Sequence, residues 1–296
     1  MKYCFMQQHA KEFKVERMSK VLGVSRSGYY KFLKAKPSAR ERANQELLSK
    51  IKKIHKESRS TYGSPRIHAK LLANGDKCSR KKIGHLMKKN SIKAKMNKKC
   101  KVTTKSDPKA KVAPNLLQQD FTASAPNQRW AADISYISTA EGWLYLAAII
   151  DLFSRRIVGL AMDKFINTNL ISIALNQALI HRNPADNLLH HSDKGCQYTS
   201  VFFQDLLKKN NIICSMSGTG NCYDNAVMES FFHTLKTEHV YFENYGTREQ
   251  AKRSIFEYIE VFYNRKRSHS TLGYLSPFEF EKQWEQQQNF SFRCVH

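Results

Sequence analysis

Nowhere does this sequence stay apolar for the roughly 18–20 residues that a membrane helix needs, and its start, MKYCFMQQHAKEF, lacks the long apolar stretch of a secretory signal. A membrane role is therefore not expected, and a cytoplasmic location is. Paired cysteines are also missing. The seven cysteines (Cys4, Cys78, Cys100, Cys196, Cys214, Cys222, Cys294) are scattered with no C-x-x-C pair, which argues against a disulfide framework and against a zinc site. Acidic residues are scarce in one region only. Residues 1–120 hold 8 Asp+Glu against 32 Lys+Arg, whereas residues 121–296 hold 17 of each, so the whole formal charge of +24 sits in the first two-fifths of the 296 residues. That split excludes a uniformly supercharged surface. It indicates a basic, polyanion-binding front joined to a neutral block long enough to bury a full core.

The basic front reads as helical. Between residues 12 and 33 an apolar set (Phe13, Met18, Val21, Leu22, Val24, Tyr29, Tyr30, Phe32, Leu33) is broken at Gly23-Val24-Ser25, with Ser25 placed to cap a following helix. This is the outline of a helix-turn-helix over residues 1–40, whose second helix carries Arg26, Tyr29 and Lys31 as candidate DNA contacts. A second such unit spans 41–95. Leu47, Leu48, Ile51 and Ile54 recur at helical spacing, Pro65 suits a helix's first turn, Asn74-Gly75-Asp76 is a turn, and Ser79 caps Arg80 to Asn90. Arg66, Arg80, Lys81 and Lys82 are its candidate DNA contacts. The alternative for each charge run is a solvated helix face, and which helix enters a groove stays open; two such units in one basic block favour DNA. Residues 96–125 are expected to be a basic linker.

From residue 126 to about 290 the texture changes. RWAADISYIS alternates, WLYLAAIIDLF and RIVGLAM are apolar runs, and turns separate them, predicting three antiparallel strands. A helix over 168–182, a strand at 187–191, a helix over 200–209, a strand at 212–216 and helices over 223–240 and 247–264 follow. The fold class expected is α/β, a mixed sheet flanked by helices. Within it, three acids stand out. Asp133 lies inside the first strand among apolar residues, an expensive place without a compensating cation or hydrogen bond. Asp193 ends the strand LLHHSD, where ligand sites collect, although a turn or cap role is open to it. Glu229 lies within AVMESFF on a helix, where a surface glutamate is the ordinary alternative.

Asp133, Asp193 and Glu229, with 35 residues between the last two and the glutamate on a helix, form a pattern that resembles the DDE recombinases of the retroviral-integrase superfamily. The words WAADISYI, HHSDKGCQYTS, SGTGNCYDNAVMESFFHTLKTE, YNRKRSHSTLGYLSPFEF, YGSPRIHAKL and PNLLQQDF are similar to the second-frame (OrfB) transposases of the IS-three family of bacterial insertion sequences, over nearly the whole chain. That resemblance implies an RNase H-like catalytic core with Asp133, Asp193 and Glu229 as catalytic and metal-binding residues. Mg2+, or Mn2+ in its place, would serve DNA cleavage and strand transfer. It implies terminal-repeat and target DNA as partners, a homo-oligomer on DNA, and an upstream-frame helix-turn-helix protein or fusion; no sustained heptad for such a fusion's zipper is present in this chain.

Lys236, seven residues after Glu229, matches the family's basic residue, and two helical turns return it to the same face. His233 shares that face, with a packed or solvated role as its alternative. Asp224 and Asn225 belong to the family word YDNA; Asp224 reads first as a helix-start acid and second as support for the site. Gln197 is a candidate substrate contact, as are Arg265 and Arg267 with Asn264 and His269, against the alternative of a basic helix end. His190 and His191, adjacent on a strand, point to opposite faces and so do not share one ion. Two further readings stand beside the enzyme: a DNA-binding regulatory or accessory component that needs the upstream-frame protein, and an RNase H-type nuclease.

Overall fold

The computed structural model describes residues 1–34, 36–95, 113–218 and 222–293. Most of the expected linker, residues 96–112, lies outside them, as do residues 219–221. The chain divides into two compact units, Met1–Lys53 and Ile54–His296.

The first unit holds α1 (Lys2–Gln8), α2 (Val15–Leu22), α3 (Arg26–Lys34) and most of α4 (Ala39–Glu57). Gly23 closes α2 at φ 60°, a left-handed conformation that glycine adopts without a Cβ penalty. Two residues on, the Ser25 hydroxyl accepts the Gly28 backbone N–H at 3.0 Å and caps α3. Met6, Met18 and Tyr29 are the buried centre of this small bundle. A reciprocal capping box starts α4: Glu41 accepts the Ser38 N–H at 2.8 Å and Ser38 Oγ accepts the Glu41 N–H at 3.2 Å.

In the second unit, α5 (Ser64–Ala73) carries Pro65 in its first turn, and α6 (Arg80–Lys89) is capped by Ser79, whose hydroxyl accepts the Lys82 N–H. The pair buries Ile67, Leu71, Ile83, Leu86 and Met87. The sheet follows. β1 (Arg129–Thr139), β2 (Gly142–Asp151) and β3 (Ile157–Asp163) form an antiparallel meander. β4 (Leu189–Ser192) and β5 (Ile213–Met216) add in parallel on the other side of β1, giving the order β3-β2-β1-β4-β5.

Both faces of the sheet are covered, which is why β2 reads as an unbroken apolar run. Its alternate residues part between two cores: Leu146, Ala148 and Ile150 on one side, Ala147 and Ile149 on the other. The first core is closed by α9 (Ala226–Glu238) and α10 (Arg248–Phe256), which continues as π-helical turns over Glu257–Tyr263. The second is closed by α7 (Thr168–Arg182) and α8 (Val201–Lys209). Gly159 in β3 lets α7 sit directly on the strand, since a Cβ there would run into the Ala174 carbonyl oxygen. The expected α/β class, with a mixed sheet between helices and a helical region ahead of it, is what the chain adopts.

A further helix, α11 (Pro277–Arg293), follows the point where the sequence reading ended its last one. Its start is signalled by Ser276 and Glu279, which cap each other's N–H groups at 2.9 and 3.3 Å. Glu281 anchors it through Arg182, Arg156 and the Ser154 hydroxyl, with contacts of 2.7 Å each. No helix among the described residues is long and apolar enough to cross a membrane.

Candidate active site

The strand pattern decides where Asp133 goes. Ala131 and Ile137 belong to the core beneath α9, while Trp130 and Ala132 belong to the opposite core. Side chains alternate along a strand, so Asp133 falls in the α9-facing series. β4 runs parallel to β1 with Ala131 opposite His191. Continuing that register by two residues brings Asp193, just past the end of β4, alongside Asp133. β1 is the strand where antiparallel pairing on one side changes to parallel on the other, and ligand sites form at such a switch. Glu229 comes from the first turn of α9, which packs over this part of β1.

The three acids line one cleft of about 1640 Å³, together with Lys236, His233 and Gln197. Asp133 Oδ1 accepts its neighbour's N–H, from Ile134, at 2.7 Å. Asp193 Oδ1 accepts the Gly195 N–H at 2.9 Å. Burial pushes the Asp133 carboxyl up to about 8, and the Asp193 and Glu229 charges push the same way, against the Ile134 hydrogen bond and Lys236. Burial also raises Asp193 and Glu229. Acids that repel one another's charge in a half-buried cleft form a site that a cation would relieve. Among the described residues, no three His, Cys, Asp or Glu side chains already stand in metal-holding geometry.

The word YDNA proves to be scaffolding for this cleft. Asp224 lies in a tight turn, Cys222–Asn225, ahead of α9, and its buried carboxylate accepts from Gly218 N, Asn115 Nδ2 and Gln119 Nε2 at 2.6–2.9 Å. Asn225 Nδ2 donates to the Ala132 carbonyl at 3.2 Å, next to Asp133. The supporting reading of Asp224 is thus the one its contacts fit. Residues 113–121, within the expected linker, are docked: Ser215 Oγ accepts the N–H groups of Leu116 and Leu117. His190 packs against Tyr198 and Phe203, and His191 bonds Ser215 and Ser217, so the two rings do part to different surroundings. Burial holds both well below the ordinary imidazole value, at about 4.

The candidate DNA contacts divide. Arg26 and Lys31 are exposed on α3, Arg80, Lys81 and Lys82 on the first turn of α6, and Arg265 beyond the π-helical turns. Two others have different work. Tyr29 is 2% exposed and forms the centre of its bundle, so its ring does not reach DNA. Arg267, 3% exposed, makes paired bonds to Glu238 at 2.8 and 2.7 Å. Glu238 also accepts from Tyr258 at 3.0 Å and faces Arg66 at 3.4 Å. A guanidinium buried in this way is not offered to a phosphate. Asn264, 1% exposed, bonds both the N–H and the carbonyl of Ile157 in β3. The sequence reading did not single out Tyr136, Trp143 or Tyr241, which also line the cleft; in a strand pattern such aromatics look like ordinary sheet residues.

Models of the integrase core domain match residues 123–222 and 229–284, and a model of an HTH-like domain matches residues 42–99. The chain is 43% identical over 269 residues to the insertion element IS600 uncharacterized 31 kDa protein of Shigella sonnei, covering 91% of this chain and 99% of that one. It is 41% identical over 283 residues to transposase InsF for insertion sequence IS3A of Escherichia coli (strain K12), covering 95% and 98%. A chain in the structure of the simian T-cell lymphotropic virus intasome in complex with PP2A regulatory subunit B56 gamma aligns over 78% of this chain and 74% of its own, at TM-score 0.47 and 16% identity. With integrase-core matches that between them include all three acids, and with relatives more than 40% identical over nearly the whole chain, this chain belongs to the IS3-family transposases.

Proposed function

We propose that Asp133, Asp193 and Glu229 carry the phosphodiester chemistry of this DDE polynucleotidyl transferase, cutting and joining DNA at the ends of its own insertion sequence. The observation that supports this most is the convergence of three acids from a strand, a strand exit and a helix on one cleft that also holds Lys236. Their oxygen donors suit a hard divalent cation, Mg2+ or Mn2+, whose charge would offset the burial and mutual repulsion that raise the Asp133 carboxyl. When bound, such ions polarise the phosphate and lower the pKa of an attacking oxygen.

The chain's own groups have separate tasks. The three acids would hold the cations through their carboxylate oxygens. Lys236, two turns after Glu229 on α9, neutralises a phosphate oxygen, and Gln197, which also lines the cleft, contacts the strand. Hydrolysis of one phosphodiester frees a 3′-OH, and attack of that 3′-OH on a second phosphodiester joins the strands. Each step breaks one P–O bond and makes another, so it requires neither ATP nor a nucleophile on the protein. Arg26, Lys31, Arg80, Lys81, Lys82 and Arg265 supply salt-sensitive contacts to DNA phosphates. Partners on this reading are the terminal repeats, target DNA, further copies of the chain and an upstream-frame protein, in the bacterial cytoplasm.

Element-end duplexes incubated with Mg2+ test this. Asp133→Asn, Asp193→Asn and Glu229→Gln each abolish cleavage and joining while DNA binding persists. Wild-type activity in any one of them refutes its assignment.

A further inference from the structure

Two large aromatic rings in the cleft belong to neither core. Tyr136 on β1 is 42% exposed and Trp143 on β2 is 50% exposed. They meet edge to face, with ring centroids 5.0 Å apart and planes at 81°. Lys236 Nζ lies 4.9 Å from the Tyr136 centroid. The strand ladder fixes both residues, since Tyr136 stands opposite Tyr145 and Ser138 opposite Trp143. β4 pairs with β1 only as far as Ala131, so among the described strands β2 alone partners β1 at Tyr136. Tyr136 lies three residues, about 10 Å, from Asp133 along β1 and so in the other side-chain series, and the cleft takes in both because its lining wraps the stretch of β1 that β4 leaves unpaired.

Exposed aromatics held rigidly by a ladder form a stacking surface, and the neighbouring charge says what stacks there. An apolar side chain would gain from the rings but not from the ammonium or the acids. A nucleotide uses all of them, because its base offers a π-face to the rings while its phosphate meets Lys236. In a duplex that face is already stacked, so the base must leave the helix to reach the rings.

We propose that Tyr136 and Trp143 form a platform for one unpaired nucleobase beside the scissile phosphodiester, with Lys236 holding that nucleotide's phosphate. The assignment rests on the three acids being the reacting centre. It adds a requirement for local duplex opening, and therefore a dependence on the identity and pairing of one base.

Element-end duplexes test it, carrying an abasic site at each position flanking the cleavage point in turn, with the full-length chain alone and together with the upstream-frame product. Cleavage and DNA binding are both read. Tyr136→Ala with Trp143→Ala should weaken binding and cleavage of intact ends about tenfold. At one position an abasic site should lower the wild type to the same level and cost the double variant nothing more, the coupling expected when both changes remove one contact. Tyr136→Phe with Trp143→Phe, which keep the rings, should restore the loss. Additive losses at every abasic position, or wild-type behaviour of the double alanine variant, overturn the platform. Asp133→Asn separates the two claims: if it is inactive while the platform variants show no coupling, the platform alone is wrong, and if it is active the catalytic assignment fails.

Discussion

Removing the Arg267 guanidinium should unfold this protein more readily without weakening its hold on DNA. Arg267 is enclosed and makes two short bonds to Glu238, itself 8% exposed, while Tyr258 also donates to that carboxylate. Burial pushes Glu238 up, but the hydrogen bonds and charge of Arg267, with Arg66 and Tyr258, outweigh it and hold the carboxyl below 4.5. A depressed acid stabilises the fold above its unfolded value and loses that contribution only as pH falls through its folded value, so at neutral pH the pair is fully present. In Arg267→Met a buried carboxylate loses its main partner, an uncompensated charge costing about 3–5 kcal/mol. For a unit of this size, about 2–4 °C is lost per kcal/mol, so the thermal midpoint should fall by roughly 10 °C. Circular dichroism melts, with a fluorescence titration of element-end DNA below the melting range, measure both effects. Glu238→Ala should fall comparably, and the two losses should not add, because each leaves the other's partner stranded. A midpoint within about 2 °C of wild type, together with weakened and less salt-dependent DNA binding, would return Arg267 to the DNA surface and refute the burial argument.

Other consequences are checkable on the same protein. Asn264→Ala strands the N–H and carbonyl of Ile157, costing roughly 2–4 kcal/mol in denaturant melts, and an unchanged midpoint would contradict it. Gly159→Ala drives a methyl into the Ala174 carbonyl and should cost about 1–3 kcal/mol by overpacking, measured in the same way. Without metal, Asp133 keeps its proton up to about pH 8 while its unfolded value is 3.8. The stability associated with that proton is complete below the lower value and lost as pH rises through the upper one. In EDTA, Asp133→Asn should therefore gain on the wild type from about pH 4 to about pH 8 and no further above it, and a constant gap in midpoints would count against the buried acid cluster. If Lys81 meets a phosphate, Lys81→Ala should reduce the slope of log binding constant against log salt by about one, and an unchanged slope removes it from the interface.

What could be read from residues alone was what local chemistry dictates. Ser25, Ser79 and the Gly23 break marked helix boundaries because capping acts within three residues, and the double coverage of the sheet showed in β2 as an apolar run. The acids drew notice because Asp133 is costly inside a strand. What stayed hidden depends on distant partners. Nothing in NRKRSHS distinguishes Arg267, buried on Glu238, from exposed Arg265 two residues earlier. Tyr29 looked like a groove residue because its helix is basic, yet its ring packs with Met6 and Met18. Asp224 looked like a helix-start acid, and only Asn115 and Gln119, over a hundred residues away, reveal it as a clamp.

The most direct test of the cleft as the reacting centre is the strand-joining rate of Asp193→Asn, measured with Mg2+ on an element end that already carries its 3′-OH, so that chemistry is isolated from cleavage. Loss of a cation-holding acid removes several kcal/mol of transition-state stabilisation, and the rate should fall roughly a thousandfold or more with DNA affinity unchanged. Joining at the wild-type rate would contradict the claim that this cleft is where phosphodiesters are exchanged.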